Sequence, residues 1–456
     1  MVTFAEQQHL DASLAQFIKR CRNLTIDDLN PRAITTARHS LLDWFGCAVA
    51  GANEPAARRF RGIMDPAPGE TPLIGTASAV HWRDAAVINA FNGHLLDFDD
   101  MLPSFSGHPS AVVLPALLTV GEQTGADVDK LLAALVVGTE VGNWVAAQVM
   151  PGHYDAGWHA TGTIGTFAAA AAICHLRGLD HAQWISALDA AATQAAGLKA
   201  MFGTLAKPMH AGNASQAGIL AARLSTITSS SGRALTGETG FIANYRGAGT
   251  VPPTPLEGFA IEGMLYKTFA SCFMTQAAVE AGATSAELHG DLGQSRITLR
   301  VSPKLADVCA IEDPQTPNDA KFSLHATFAL SALGHDLSTE EAFHTNNLQN
   351  PEYQALRERI SLQFDPLLAG QEPRIGVHIL LADGTEWDTT IDRGRPADDL
   401  GVREIQLVQK FRQLTEPHLG SHQTQLALDL ILHSRGTGIA ALTAATTQPL
   451  IPETTI

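Results

Sequence analysis

Alanine-rich apolar segments fill the stretch from Asp127 to Leu224, and their hydrophobic residues recur at spacings of three and four. That spacing puts them on one broad stripe of a helix. Small side chains let such helices approach closely and bury one another. The same pattern runs through Leu10–Cys21, Ile34–Ala50, Arg83–Asn92, Pro115–Thr124, Asp127–Met150, Thr163–Arg177, His181–Ala195 and Ala211–Leu224. In the second of these, Ile34, Ala37, Leu41, Leu42, Phe45 and Ala48 share the stripe. Asp127 and Asp180 stand just before apolar runs, where an N-cap is expected. There is little period-2 alternation before residue 290.

The pattern changes after that point. Arg296–Val301 alternates as a half-buried strand, and Ile375–Leu381 with Glu386–Ile391 flank Asp383-Gly384, a hairpin turn signal. Phe322–Leu333 and Thr339–Phe343 read as helical between them, as do Arg403–Leu414 and Gln423–His433 afterwards. Ser229–Gly232 and Val251–Pro255 are the clearest breaks, and the polar tail from Thr443 is expected to fray. A chain of 456 residues exceeds one ordinary core. The expected fold is mainly α: a large all-helical domain over 1–265, a smaller α+β domain over 266–400, and a helical return over 401–456 that packs on the first domain.

Charge excludes some partners. With 30 Lys+Arg against 46 Asp+Glu, the net charge is −16. Nothing there neutralises nucleic-acid phosphates or an anionic membrane. The five cysteines are widely spaced with no C-x-x-C pair, which argues against disulfides and thiolate-held zinc or iron–sulfur centres. No secretory signal opens the sequence. Leu131–Met150 and Thr161–Cys174 look membrane-like, but the first carries Glu140 and Asn143 and the second is short, so both read as buried core helices. A cytoplasmic location is expected.

Four clusters place polar groups among small residues. His94–Asp100 has the sequence HLLDFDD and is followed by Gly107-His108-Pro109-Ser110. It reads as an active-site loop whose carboxylates fix the imidazole of His108. An acidic helix cap or a divalent-metal site are alternatives, though the spacing matches no metal template. His153–Thr166 places His159 and Thr161 at a glycine-containing helix start, where backbone N–H groups attract anions. Plain helix packing explains the same glycines. No strand precedes this segment, so it is not a dinucleotide fingerprint, and no Walker motif occurs.

Gly197–Asn213 holds Lys199, Lys207 and His210 in an apolar setting, in a chain where lysine is rare. Such a lysine either binds a carboxylate or acts as a base; snorkelling surface lysines are the alternative. Tyr266–Cys272 carries Lys267 at the expected domain junction, a common place for ligands. An ordinary surface lysine beside a buried cysteine fits equally.

The segments GHPSAVVLPA, GWHATGTIGTF and FGTLAKPMHAGNASQAG resemble the MmgE/PrpD family. So do Lys267 ahead of a cysteine, RGRPADDL and Lys410-Phe411, and the likeness extends over almost the whole chain. The group includes 2-methylcitrate dehydratase, cis-aconitate decarboxylase and iminodisuccinate epimerase. The lack of ligand spacing around the acidic run makes no metal the expectation. The resemblance implies a homodimer, no organic cofactor and no iron–sulfur cluster. It implies catalytic roles for Asp97, His108, His159, Lys207 and Lys267. Asp100, Thr161, Lys199, His210 and His325 are candidate substrate-binding residues. Met101 stands where a hydroxyl residue is common, Ala326 where a tyrosine is common, and the loop to His108 is about one residue longer than in the decarboxylase. These departures fall where the family's reactions diverge.

The shared step is making or breaking a C–H bond beside a carboxylate. Without a metal, the carbanion's charge must be held by Lys, His and backbone N–H groups. The expected function is a cofactor-independent, dehydratase-type lyase acting on a small di- or tricarboxylate. An epimerase of an amino- or imino-dicarboxylate is the runner-up, and a non-catalytic dimeric member is the third reading.

Overall fold

A computed structural model describes residues 4–246 and 258–447. The expected break at Val251–Pro255 lies outside them. The chain divides into two compact units: Met1–Tyr266 with Asp398–Ile456, and Lys267–Ala397.

The first unit is helical, as its periodicity predicts. In chain order its main helices are α1 (Phe4–Cys21), α2 (Pro31–Asn53), α3 (Pro55–Met64), α4 (Trp82–Leu95), α5 (Pro109–Thr124), α6 (Val128–Val149), α7 (Gly152–Asp155), α8 (Ala160–Leu176), α9 (His181–Ala192) and α10 (Ala206–Leu224). At its centre lies α8, buried from Ala160 to Cys174 and packed by α5, α6, α9 and α10. Alanine on all sides makes this possible. A Cβ on Gly138 of α6 would stand 2.8 Å from the Ala168 carbonyl oxygen, and one on Gly218 of α10 would collide with the Ala169 side chain. The one described helix long and apolar enough to cross a membrane is α6, and most of that stretch is buried in this core, Glu140 included.

Helix starts follow the expected chemistry. The Asp127 carboxylate accepts the Lys130 N–H, and Asp180 accepts that of Gln183. Three helices begin earlier than their apolar stripes suggest: α5 at Pro109, α8 at Ala160 and α10 at Ala206. Pro109 occupies the first turn, where its missing N–H costs nothing, and Pro115 sits inside the helix rather than at its start. A small sheet of β1 (Pro68–Pro72) and β2 (Ala79–Val80) was not foreseen; too short and proline-rich to alternate, it left no period-2 signal. At the end of the unit, Leu400–His433 packs along α2 and is interrupted at Gly420, whose φ is 75°. A last helix, Ile439–Ala445, takes Thr443 into buried structure, where fraying was expected; 448–456 lie outside the described residues.

In the second unit, β3 (Arg296–Val301), β4 (Ile360–Phe364), β5 (Arg374–Leu380) and β6 (Glu386–Asp392) form a sheet ordered β4-β3-β5-β6. β3 and β4 are parallel and the other pairs antiparallel. Asp383-Gly384 makes the β5–β6 turn, with φ 87° at Gly384. Ile297, Leu299, Val301, Ile375, Val377 and Ile379 are buried, and Gln276–His289 packs against β5 and β6. β4 escaped the sequence reading although Ile360, Leu362 and Phe364 alternate with Ser361 and Gln363; the run is five residues long and mostly exposed. Thr339–Phe343, expected as a helix, is a short 3₁₀ turn from Glu340.

Candidate active site

Three helix starts and one helix end meet in the first unit. His108 caps α5, His159 caps α8, Lys207 and His210 lie in the first turns of α10, and His94 is in the last turn of α4. Each start turns its positive dipole end toward the same region. Short loops bring them there. The His159 N–H donates to the Gly197 carbonyl and the Lys199 N–H to that of Gly157, which ties the α8 start to the segment before α10. Gly162 permits this approach, since a Cβ there would strike the Ala196 carbonyl.

After α4 the chain turns through Asp97 at φ 51°, a left-handed conformation that Asp tolerates better than most side chains. Its carboxylate reaches Lys207, with Nζ 2.6 Å from Oδ1, and His108 Nε2 lies 3.9 Å from the same oxygen. All three are partly open to solvent: the side chains of Asp97, Lys207 and His108 are 32%, 14% and 12% exposed.

Behind them, Asp99 is fully buried between two imidazoles. His94 Nδ1 lies 2.9 Å from Oδ2, and His108 Nδ1 lies 3.2 Å from that oxygen. Burial alone would raise the Asp99 pKa, but His94 and His108 together hold it well below the usual carboxylate range. An ionised carboxylate only accepts, so His94 Nδ1 carries the proton. Burial, against the pull of Asp99, lowers His94 to about 4. His108 Nδ1 also donates to the Asp100 carbonyl at 2.7 Å, which turns its Nε2 toward Asp97.

A second imidazole pair faces this one. His159 Nδ1 and His210 Nδ1 are 2.9 Å apart, so one donates and the other accepts. Burial first, then the neighbouring His94, Lys207, His108 and His210, pushes His159 well below the ordinary histidine value. Burial lowers His210 as well. The rings of His94 and His159 stack at 6.3 Å, and Phe202 meets His159 edge-on at 4.9 Å. Burial thus disfavours the charged form of His94, His159 and His210, beside an ionised Asp99 and a Lys207–Asp97 pair.

Not every candidate joins this cluster. Asp100 lies behind the loop, fully buried, with its carboxylate accepting from Ser110 Oγ at 2.6 Å. Burial and the nearby Asp43 raise its pKa well above the carboxylate range, and it lies behind the loop as a structural group. Thr161 Oγ1 accepts the His108 N–H at 3.1 Å and is wholly buried, which makes it part of the scaffold of His108. Lys199 turns to α7, where its ammonium donates to the Tyr154 carbonyl at 2.8 Å and lies 3.6 Å from the Tyr154 ring centre. Lys267 and His325 belong to the second unit, and both are buried there.

The sequence reading placed His94 and Asp99 in its first cluster and Lys410 in the family resemblance but gave none of them a catalytic or substrate-binding role, and it did not mention Asp43. The Lys410 ammonium is buried, 2.6 Å from Asp43 Oδ1 and 2.6 Å from the Phe98 carbonyl, so the helix Leu400–His433 clamps the DFDD turn. The scarcity of lysine was the available signal for Lys410.

One ligand atom each from His94, Asp97, Asp99 and His108 lies within 4.8 Å of the others, in the cluster where a divalent-metal site was an alternative although the spacing matched no metal template. The distances admit a cation, but the Lys207 ammonium already sits against Asp97 and two imidazoles already occupy Asp99. A divalent ion would have to displace them, and the set fits proton transfer better than metal binding.

Comparison with known proteins agrees with the resemblance. Residues 12–252 match the MmgE/PrpD N-terminal domain and 269–434 the MmgE/PrpD C-terminal domain. The chain is 30% identical over 208 residues to the cis-aconitate decarboxylase of Aspergillus terreus, covering 43% of this chain and 42% of that one. It is 26% identical over 381 residues to the cis-aconitate decarboxylase of Homo sapiens, covering 77% and 76%. A cis-aconitate decarboxylase-like protein of Aspergillus oryzae is 32% identical over 183 residues, 38% of each chain. The matches to the two Aspergillus proteins thus span less than half of their length. With both domain models matched in order along one chain, the protein belongs to the MmgE/PrpD family.

Proposed function

We propose that the protein is a cofactor-independent lyase that eliminates water from a small di- or tricarboxylate. The observation that carries this reading is the meeting of two imidazole units and one lysine at three helix starts. Helix starts and Lys207 bind carboxylates. An imidazole then takes the proton from the carbon beside a carboxylate, and the developing charge is held by Lys207 and backbone N–H groups. Elimination also needs a general acid at the departing hydroxyl. The His108 unit and the His159–His210 pair supply one group for each role. Lys267 is proposed as a further carboxylate partner on the family resemblance.

Decarboxylation is the second reading, favoured by the names of the relatives. It needs one acid to protonate the carbon after CO₂ leaves, and less of the imidazole set. Incubating the purified protein with a panel of di- and tricarboxylates that includes 2-methylcitrate and cis-aconitate separates the two by mass. Loss of water supports the first reading and loss of CO₂ the second. No turnover across the panel contradicts both. We also propose that the protein acts as a homodimer in the cytoplasm, on the family resemblance. A monomer in sedimentation at micromolar concentration would contradict the dimer.

A further inference from the structure

We infer that His94 is a positioning residue of this site: through Asp99 it holds the imidazole of His108 in its reactive orientation and tautomer. The inference rests on the reading of His108 as an acid–base group. His94 does not meet substrate itself, because its Nε2 is shut off from solvent and has no hydrogen-bond partner. Its other nitrogen is fully used. Nδ1 lies 2.9 and 3.0 Å from the two oxygens of Asp99, so His94 grips the carboxylate from one side. His108 Nδ1 meets the same carboxylate from the other side at 3.2 Å, and the two rings lie 4.6 Å apart. A carboxylate fixed at both oxygens cannot rotate, and together with the Asp100 carbonyl, which accepts from His108 Nδ1 at 2.7 Å, it keeps the His108 ring pointed with Nε2 outward. This is the logic by which a buried carboxylate orients a catalytic imidazole, with one further imidazole orienting the carboxylate.

The surroundings leave that task to His94. Facing it and its partner are Asp97 and Asp100 from the connecting loop, His159 from α8, Lys207 and His210 from α10, Asp43 from α2 and Lys410 from Leu400–His433. Asp97 is paired with Lys207, Asp43 with Lys410, and Asp100 with Ser110. Asp99 relies on the two histidines.

The test uses His94→Phe, which keeps a ring but removes the donor, and His94→Gln, whose amide N–H can still reach Asp99. In His94→Phe kcat should fall at least about tenfold, the low end for a group that orients a catalytic imidazole, with KM changed less than about twofold. His94→Gln should recover most of that loss. The His108 Nδ1–H proton, read by NMR on protein labelled at its imidazole nitrogens, should shift in His94→Phe. Unchanged kcat, or an unshifted His108 resonance in folded His94→Phe, overturns the inference. If His94→Phe does not fold, Asp99→Asn decides in its place by the same two readouts. If the wild-type protein turns over no di- or tricarboxylate, the proposed function fails, and the His108 resonance alone decides this inference.

Discussion

Lys207 and Asp97 form a 2.6 Å ion pair between the first turn of α10 and the left-handed turn that follows α4. The pair joins the carboxylate loop to the lysine segment and leaves both side chains partly open to solvent. A substrate carboxylate can therefore exchange with Asp97 for the ammonium.

Replacing Lys207 with Ala should raise KM and lower kcat together, because the cation serves bound substrate and transition state alike. Replacing Asp97 with Ala should not add fully to that loss. Residues in one ion-pair network couple by about 0.5–3 kcal/mol. A double-mutant cycle on kcat/KM measures it, and full additivity would show that the pair does not act as a unit.

Lys410→Met should destabilise the fold by about 3–5 kcal/mol, since it leaves the Asp43 carboxylate buried without its cation. Denaturant unfolding measures this. Activity per folded molecule should fall as well, because Lys410 also holds the Phe98 carbonyl beside Asp99.

Stability should decline on acidification between pH 6.5 and about 4. Burial lowers His94 and His153, and burial with the neighbouring Arg403 lowers His39, each to about 4. A depressed histidine contributes stability that is full above its unfolded pKa and is lost as pH falls through the folded one. Asp43 and Asp100, raised by burial, act in the opposite direction, but the depressed histidines outnumber them. The melting temperature followed from pH 7.5 to 4.5 should fall; a flat profile would contradict the neutral, buried state of these imidazoles.

Much of the helical unit was legible because amphipathic period and N-caps are local signals. β1 and β2 were not, since such short strands carry no alternation, and β4 was missed although its five residues alternate. The site was legible in its residue types: Asp97, His108, His159, Lys207 and His210 come together around the helix starts. What each polar group touches was not. Asp99 and Asp100 are neighbours in sequence, yet the pKa of one is lowered between two imidazoles and that of the other raised by burial behind the loop. Lys410 reaches Asp43 across most of the chain, and no local pattern encodes that contact.

The central claim, that this site moves a proton at the carbon beside a carboxylate, is tested most directly by hydrogen exchange in heavy water. Wild-type protein incubated with di- and tricarboxylates should introduce deuterium at that carbon in substrate or product. His159→Ala should slow the exchange by roughly 10²-fold or more while remaining folded, the usual worth of a positioned acid–base group. No deuterium at that position with wild-type protein, or an undiminished rate in folded His159→Ala, would contradict the account.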